Sequence, residues 1–277
     1  MVSSSTRLTG LFGHPVAHSK SPQMHNAAFA HLGLDYVYLA FDIPPEAIEQ
    51  GVQSIRALNL RGVNVTIPHK VAVLPFLDEL SDAARRIGAV NTIVHEQGRL
   101  IGHNTDGIGY LAALREETGF TPAGQSVLLL GAGGAARAVA TQLALDGAAQ
   151  ITIAARAVAK AAELLAPLES LTAADAVSLS GVVPAEYDLV VNTTPIGMHP
   201  QVDELPIDPN LLRAGQWVSD LIYNPRQTRF LQEAAARGCL VSGGLGMFIH
   251  QGAEAFRLWT GHPAPTDVMR KTVESYL

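Results

Sequence analysis

The sequence predicts an α/β protein of two domains. Three observations predict it. Strand and helix patterns alternate along almost all of the 277 residues, the signature of helices covering mostly parallel sheets. A joint rich in Thr, Gly and Pro, "TGFTPAGQ" (118–125), splits that alternation into two series. The second series opens on a strand, a glycine turn and a helix, "SVLLLGAGGAARAVATQLALDG".

In the first series, 7–13, 36–41, 61–67, 89–95 and 99–104 read as strands from their apolar, β-branched and aromatic content. Stretches 22–33, 44–58 and 81–87 read as helices, and another is expected over 108–117. Glycines and prolines fall at the joints. The first domain is therefore expected to span 1–117 and the second 118–246. Strands of the second are expected at 126–131, 150–155, 188–194, 216–222 and 239–243. The segment 247–277 reads as helical apart from "GHPAPT" (261–266) and is expected to pack back on the first domain.

Apolar residues make up 48% and charged residues 16%, enough for packed cores and too apolar for a disordered chain. The net charge is −6 with no run of Lys or Arg, which argues against nucleic acid and anionic membranes as partners. A single cysteine, Cys239, makes no internal disulfide and reads as a small buried apolar residue. No stretch reaches the roughly 20 apolar residues of a membrane span, and no signal peptide is evident. The expectation is a cytoplasmic protein, monomer or homodimer. The ten histidines show no zinc-like pairing, so no metal is expected. No G-x-S-x-G elbow points to a serine hydrolase.

Gly131, Gly133 and Ala136 fit G-x-G-x-x-[G/A]. The first glycine allows the tight turn, the second lets backbone approach a pyrophosphate, and the alanine lets helix and strand pack closely. The helix start that follows offers free N–H groups and a positive dipole end. A dinucleotide is the expected ligand. The next strand runs into "ITIAARAVAK", which has no acid to hold a ribose hydroxyl pair. It has Arg156, with Lys160 a helical turn later; cations there suit a 2′-phosphate, so NADP is favoured over NAD. The bland alternative is a solvated arginine at a helix start.

"GVNVTIPHK" (62–70) alternates Val63, Val65 and Ile67 with Asn64 and Thr66. Pro68 cannot extend a ladder, and Lys70 follows directly. The pattern aims an amide, a hydroxyl and an ammonium at one side and one end. Ser21, followed by Pro22, reads as an N-cap; with Ser19 the same helix start also offers an anion site. Asp106 in "NTDG" stands at another helix start, where a cap explains it equally well. Asn91 interrupts the apolar "GAVNTIV". Polar groups at the ends of several elements of one α/β domain mark the usual ligand position.

Taken together, "GHPVAHSKSPQMHN", "GVNVTIPHK", "GAVNTI", "NTDG", "GAGGAAR", "NTTPIGM", "DLIYNP" and "GLGMFIHQ", in this order over nearly the whole chain, resemble the shikimate dehydrogenases. The resemblance implies NADPH-dependent reduction of 3-dehydroshikimate to shikimate. It also implies an N-terminal substrate domain, a C-terminal Rossmann domain for NADP, and an active site in the cleft between them. It assigns Ser19 and Ser21 to the substrate carboxylate and Asn64, Thr66, Asn91 and Gln251 to ring hydroxyls. Tyr223 closes the pocket, and Lys70 with Asp106 forms the catalytic pair. Gly131, Gly133 and Gly134 cover the cofactor phosphates, with Ala135 and Gly244 also at the cofactor. Arg156 and Lys160 face the 2′-phosphate, and Thr193 and Met247 the nicotinamide end. One stretch departs from the family. Where Asn-Arg-Thr is usual, with a further Arg three residues on, this chain has Ala155, Arg156, Ala157 and Lys160. A weaker 2′-phosphate grip and some use of NAD are expected. The rival readings are a quinate/shikimate dehydrogenase running oxidatively and a non-catalytic dinucleotide sensor; the presence of both Lys70 and Asp106 weighs against the second.

Overall fold

The computed structural model describes residues 2–277. Two compact units emerge: residues 2–105 with Gln251–Tyr276, and Asp106–His250 with Leu277. The first unit carries β1 (Arg7–Gly13), α1 (Ser21–His31), β2 (Tyr36–Asp42), α2 (Ile48–Ala57), β3 (Gly62–Val65), β4 (Glu79–Leu80), α3 (Asp82–Ile87), β5 (Thr92–Glu96) and β6 (Arg99–His103). The second carries α4 (Asp106–Thr118), β7 (Ser126–Leu130), α5 (Gly134–Leu145), β8 (Gln150–Ala155), α6 (Val158–Ala162), β9 (Ala173–Ser178), β10 (Leu189–Asn192), β11 (Trp217–Asp220), α7 (Arg229–Ala236) and β12 (Leu240–Ser242). The chain closes with α8 (Gly244–Thr260) and α9 (Thr266–Glu274). Among the described residues no helix is long and apolar enough to cross a membrane.

The first sheet runs β2-β1-β3-β5-β6-β4. β1 is parallel to both neighbours and β4 is parallel to β6, while β5 is antiparallel to β3 and β6. Val63, Val65, Phe12 and Ile93 pack with Ile48, Val52 and Ile55 of α2 on one face. The other face carries an aromatic layer from α1, β2 and α8: His25, Phe29, Tyr38, Phe256 and Trp259. α1 also packs on α9.

The second sheet is wholly parallel, in the order β12-β11-β10-β7-β8-β9. This is the doubly wound order of dinucleotide-binding folds, with the reversal between β7 and β10. α4 and α5 cover one face through Tyr110, Leu114, Val139 and Leu143. Phe230, Leu231 and Ala234 of α7 cover the other.

Four local expectations change. α4 was expected in the first domain, but it packs on α5 and β12 and buries Tyr110, Leu111 and Leu114 in the second unit's core. The return to the first unit likewise comes at Gln251 rather than at residue 247. β3 ends at Val65 rather than Ile67: the His69 N–H donates to the Thr66 carbonyl in a turn, the Ile67–Pro68 peptide is cis, and Ile67 is 74% exposed. Ser21 is the first residue of α1 and not its cap; Lys20 holds the cap position, without a side-chain cap bond.

Candidate active site

In the first unit the polar residues of the strand motifs meet in one buried network. Asn64 and Asn91 are nearly inaccessible, at 7% and 2% exposure. The Asn64 amide nitrogen donates to Thr92 Oγ1 (3.0 Å) and to the Asn91 carbonyl (3.2 Å). The Thr92 hydroxyl donates to Asn91 Oδ1 (3.0 Å), which also accepts the Thr105 N–H (2.8 Å). Asn91 Nδ2 donates to Thr105 Oγ1 (2.9 Å), and that hydroxyl donates to the Gln251 carbonyl (3.0 Å). At the other end the Tyr38 phenol donates to Asn64 Oδ1 (2.8 Å). Sheet geometry dictates the meeting: Asn64 pairs with Thr92 across β3 and β5.

Around this network, Ser19 Oγ accepts the Ser21 N–H (3.2 Å), and the Ser21 side chain interacts with the Tyr38 phenol. Thr66 and Lys70 are half-buried in the turns after β3, where the Lys70 carbonyl accepts the Val90 N–H. His69, between them, is buried, and its Nε2 donates to the Ile43 carbonyl (2.7 Å), which ties this turn to the end of β2. Burial pushes the Tyr38 phenol well above its usual range and lowers His25 to about 3.

In the second unit a pocket of about 350 Å³ opens at the carboxyl ends of β7, β8 and β10. It is lined by Gly131, Gly133, Arg156, Lys160 and Thr193 of the expected cofactor set, and by Ala132, Ala157 and the 194–196 turn. Gly131 sits at φ +110°, and a Cβ there would meet Thr193 Oγ1 at 2.8 Å. At Gly133 and Gly134 a Cβ would meet nothing within 4 Å, so backbone N–H groups at the start of α5 lie open to a phosphate. These features fit a dinucleotide. Arg156 and Lys160 are both exposed at the pocket's end. Gly134 and Ala135 form the first turn of α5 beside the pocket without lining it.

The strand ends beside this pocket are tied by a second network. The Asp220 carboxylate, fully buried, accepts from Asn192 Nδ2 (3.1 Å), the Ile222 N–H (3.0 Å) and the Thr228 hydroxyl (2.8 Å). Asn192 Oδ1 in turn accepts the Thr194 N–H (3.0 Å) and hydroxyl (2.6 Å). Burial raises the Asp220 carboxyl to about 6. Tyr223 stacks on Phe248, centroids 5.3 Å apart, and burial raises its phenol. Gly244 opens α8 against backbone: a Cβ would lie 2.1 Å from the Leu221 carbonyl oxygen. Met247 packs at the edge of the second unit's core. Asp106 is the first residue of α4 and is 8% exposed.

Comparison with known proteins follows the same division. Residues 11–93 match the model of the shikimate dehydrogenase substrate binding domain and 114–200 that of shikimate / quinate 5-dehydrogenase. Residues 244–274 match the shikimate 5′-dehydrogenase C-terminal domain. The chain is 52% identical to the shikimate dehydrogenase (NADP(+)) of Desulforamulus reducens, covering 98% of this chain and 96% of that one. The chain belongs to the shikimate dehydrogenase family. Among family structures, the Thermus thermophilus shikimate 5-dehydrogenase in complex with NADP(H) and shikimate is 40% identical. It superposes with a TM-score of 0.89 over 98% of this chain and 100% of that one. The quinate dehydrogenase of Corynebacterium glutamicum in complex with NAD is 34% identical, TM-score 0.91, over 98% and 99%.

Sequence reasoning missed Tyr38, Thr92 and Thr105, which complete the buried hydrogen-bond network of the first unit. It also missed Asn192, Thr194 and Asp220 in the second. A threonine or tyrosine in an apolar strand is an ordinary strand residue; only the register shows that these hydroxyls face the amides. The Asn192–Asp220 pair carried a faint signal, since both end apolar strands with a buried-compatible polar residue.

Proposed function

We propose that the chain is an NADP-dependent shikimate dehydrogenase, catalysing the reversible reduction of 3-dehydroshikimate to shikimate. The observation that carries this reading is the buried Asn64–Thr92–Asn91–Thr105 cluster just ahead of Lys70. Burying that many polar side chains in an apolar sheet is costly unless they are satisfied and put to use.

The roles follow residue by residue. The Ser19 and Ser21 hydroxyls bind the substrate carboxylate. Asn64, Thr66, Asn91 and Gln251 hold the ring hydroxyls, and Tyr223 closes over the carboxylate end. Gly131, Gly133, Gly134, Ala135 and Gly244 give the cofactor its close backbone approach. Arg156 and Lys160 face its 2′-phosphate, and Thr193 and Met247 its nicotinamide end. When bound, NADPH supplies a hydride. The Lys70 ammonium stabilises the negative charge that develops on the substrate's C3 oxygen and donates the proton that neutralises it. Asp106 orients that ammonium and accepts a hydrogen bond from a substrate hydroxyl. In the oxidative direction neutral Lys70 takes the hydroxyl proton.

A second reading is supported by the alanines at 155 and 157 and the lysine at 160, which leave Arg156 as the one guanidinium facing the 2′-phosphate. It is a quinate/shikimate enzyme that also accepts NAD. Steady-state kinetics with shikimate and quinate, each against NADP and NAD, separate the two. The highest kcat/KM is expected for shikimate with NADP, with measurable turnover on NAD. A highest value for quinate with NAD would reverse the assignment.

A further inference from the structure

One wall of the dinucleotide pocket hangs on a single asparagine. In the second sheet β7 lies between β8 and β10. A dinucleotide laid across the carboxyl ends of these strands would have its adenosine at the β8 end, by Arg156, and its pyrophosphate over the glycine turn after β7. Its nicotinamide half would then lie at the β10 end, where residues 193–196 line the pocket. That wall abuts the glycine turn closely: a Cβ on Gly131 would meet Thr193 Oγ1 and Thr194 Cγ2, both at 2.8 Å. Behind the wall stand Asn192 and Asp220. Neither has accessible surface, neither lines the pocket, and they are register partners at the ends of β10 and β11.

The Asn192 amide is fully committed within the protein. Its Nδ2 donates to the Ile196 carbonyl (3.2 Å) and to Asp220 Oδ1 (3.1 Å). Its Oδ1 accepts the Thr194 N–H (3.0 Å) and hydroxyl (2.6 Å). The Thr194 hydroxyl in turn accepts the Ile196 N–H (3.2 Å). With both N–H groups spent and the oxygen doubly bonded, this amide serves by holding the 194–196 turn and not by touching a ligand. The Ile196 carbonyl only accepts and the Thr194 N–H only donates, so the turn admits one amide orientation. Asp220 enforces it, because an ionised carboxylate only accepts and must face Nδ2. The carboxylate is itself held by the Ile222 N–H (3.0 Å) and by the hydroxyl of Thr228, the N-cap of α7 (2.8 Å). No cation is among these partners. A buried carboxylate of that kind costs the fold stability, which points to a use beyond packing.

We propose that Asn192 is a positioning residue for the nicotinamide half of the cofactor, holding the 194–196 turn as the wall against which that half lies, and that the Asp220 carboxylate fixes the amide orientation by which it does so. The inference rests on the NADP-dependent reading above. Neither residue touches the cofactor: Asp220 acts through Asn192, and Asn192 through the turn.

The test compares two ligands on the full chain: NADP, and adenosine 2′,5′-bisphosphate, which carries the adenosine end and lacks the nicotinamide half. Binding of each is measured calorimetrically for the parent, Asn192→Leu, Asp220→Leu and Asp220→Asn. Both leucine variants are expected to weaken NADP binding about tenfold, the worth of a well-made hydrogen bond. Affinity for the bisphosphate stays within about twofold, because Arg156, Lys160 and the glycine turn are untouched. Asp220→Asn keeps an oxygen toward Asn192 and is expected to restore NADP affinity to within about threefold of the parent. In the Asn192→Leu background Asp220→Leu adds less than about twofold, since the group it orients is gone. NADP affinity of Asn192→Leu within about twofold of the parent overturns the proposal. So does an equal loss for both ligands, which marks a merely structural role. Asp220→Asn binding NADP as weakly as Asp220→Leu overturns the part given to the carboxylate. If the leucine variants do not accumulate as folded protein, the isosteric Thr194→Val, which removes the hydroxyl bond to Asn192, decides by the same two ligands. A parent enzyme that binds no NADP overturns the functional reading as well, and is recognised by the parent arm alone.

Discussion

Lys70 carries the chemical step in this account, and its removal is the sharpest test at the scale of one residue. Lys70→Ala is expected to lose about 10²–10⁴-fold in kcat, the usual worth of a positioned proton donor, while the KM for shikimate changes far less. Asp106→Asn is expected to follow the same split. Near-normal turnover of purified Lys70→Ala would remove lysine from the mechanism. Arg156→Ala tests cofactor choice: the KM for NADPH should rise and that for NADH stay nearly constant, and equal changes would contradict the 2′-phosphate role. These residues were legible because each breaks a local pattern: an asparagine inside an apolar strand, a lysine straight after a strand-ending proline, an arginine where an acid is usual. Tyr38 breaks no pattern. It stands in "YVYLAF", where aromatic and β-branched residues are the norm, and its buried hydrogen bond to Asn64 depends on α1 packing on it from another part of the chain. Thr92 is hidden in the same way, since threonine favours strands wherever it points.

At the scale of elements, the glycine turn and α5 carry the proposed phosphate site, and the start of α8 shows how tightly a neighbouring turn is packed. Gly244→Ala would push a methyl to 2.1 Å from the Leu221 carbonyl oxygen, a backbone atom that cannot move aside. The variant is expected to lose about 2–4 kcal/mol, read as a lower denaturation midpoint, because overpacking against backbone is among the costlier single changes. An unchanged midpoint would mean that the 221–222 turn yields. Periodicity revealed most strands, and residues 150–155 match β8 end to end. It did not reveal β9, whose "AADAVS" alternates small residues with exposed ones and sits at the sheet's edge. β4, at two residues, is too short to show a period. α4 was recognised as a helix but assigned to the wrong neighbour, because its apolar residues reveal a buried face and not the partner that buries it.

For the whole molecule, Asp220 links pH to stability. Its carboxyl is raised to about 6 by burial, against about 3.9 in an unfolded chain. Between those values the folded protein binds a proton that the unfolded chain has lost, so stability falls as pH rises through this window. Above about pH 6 the full penalty applies, about 2–3 kcal/mol. Asp220→Asn keeps an oxygen for Asn192 and Ile222 and offers its amide to Thr228 Oγ1. It is therefore expected to flatten this slope between about pH 4 and pH 6 in denaturation experiments. Identical slopes in parent and variant would show that Asp220 titrates normally. The two-series plan of the chain was legible from the alternation of elements and the glycine turn, and the order of motifs named the family. The exact division was not, because a break between compact units depends on which helices share a core.

The central claim is that hydride passes between C3 of shikimate and the nicotinamide of NADP, and deuterium transfer tests it most directly. The enzyme is incubated with NADP and shikimate deuterated at C3, and the reduced cofactor is isolated and weighed by mass spectrometry. The account predicts NADPH carrying one deuterium at nicotinamide C4. Reduced cofactor without deuterium, or no reduction at all, would contradict it.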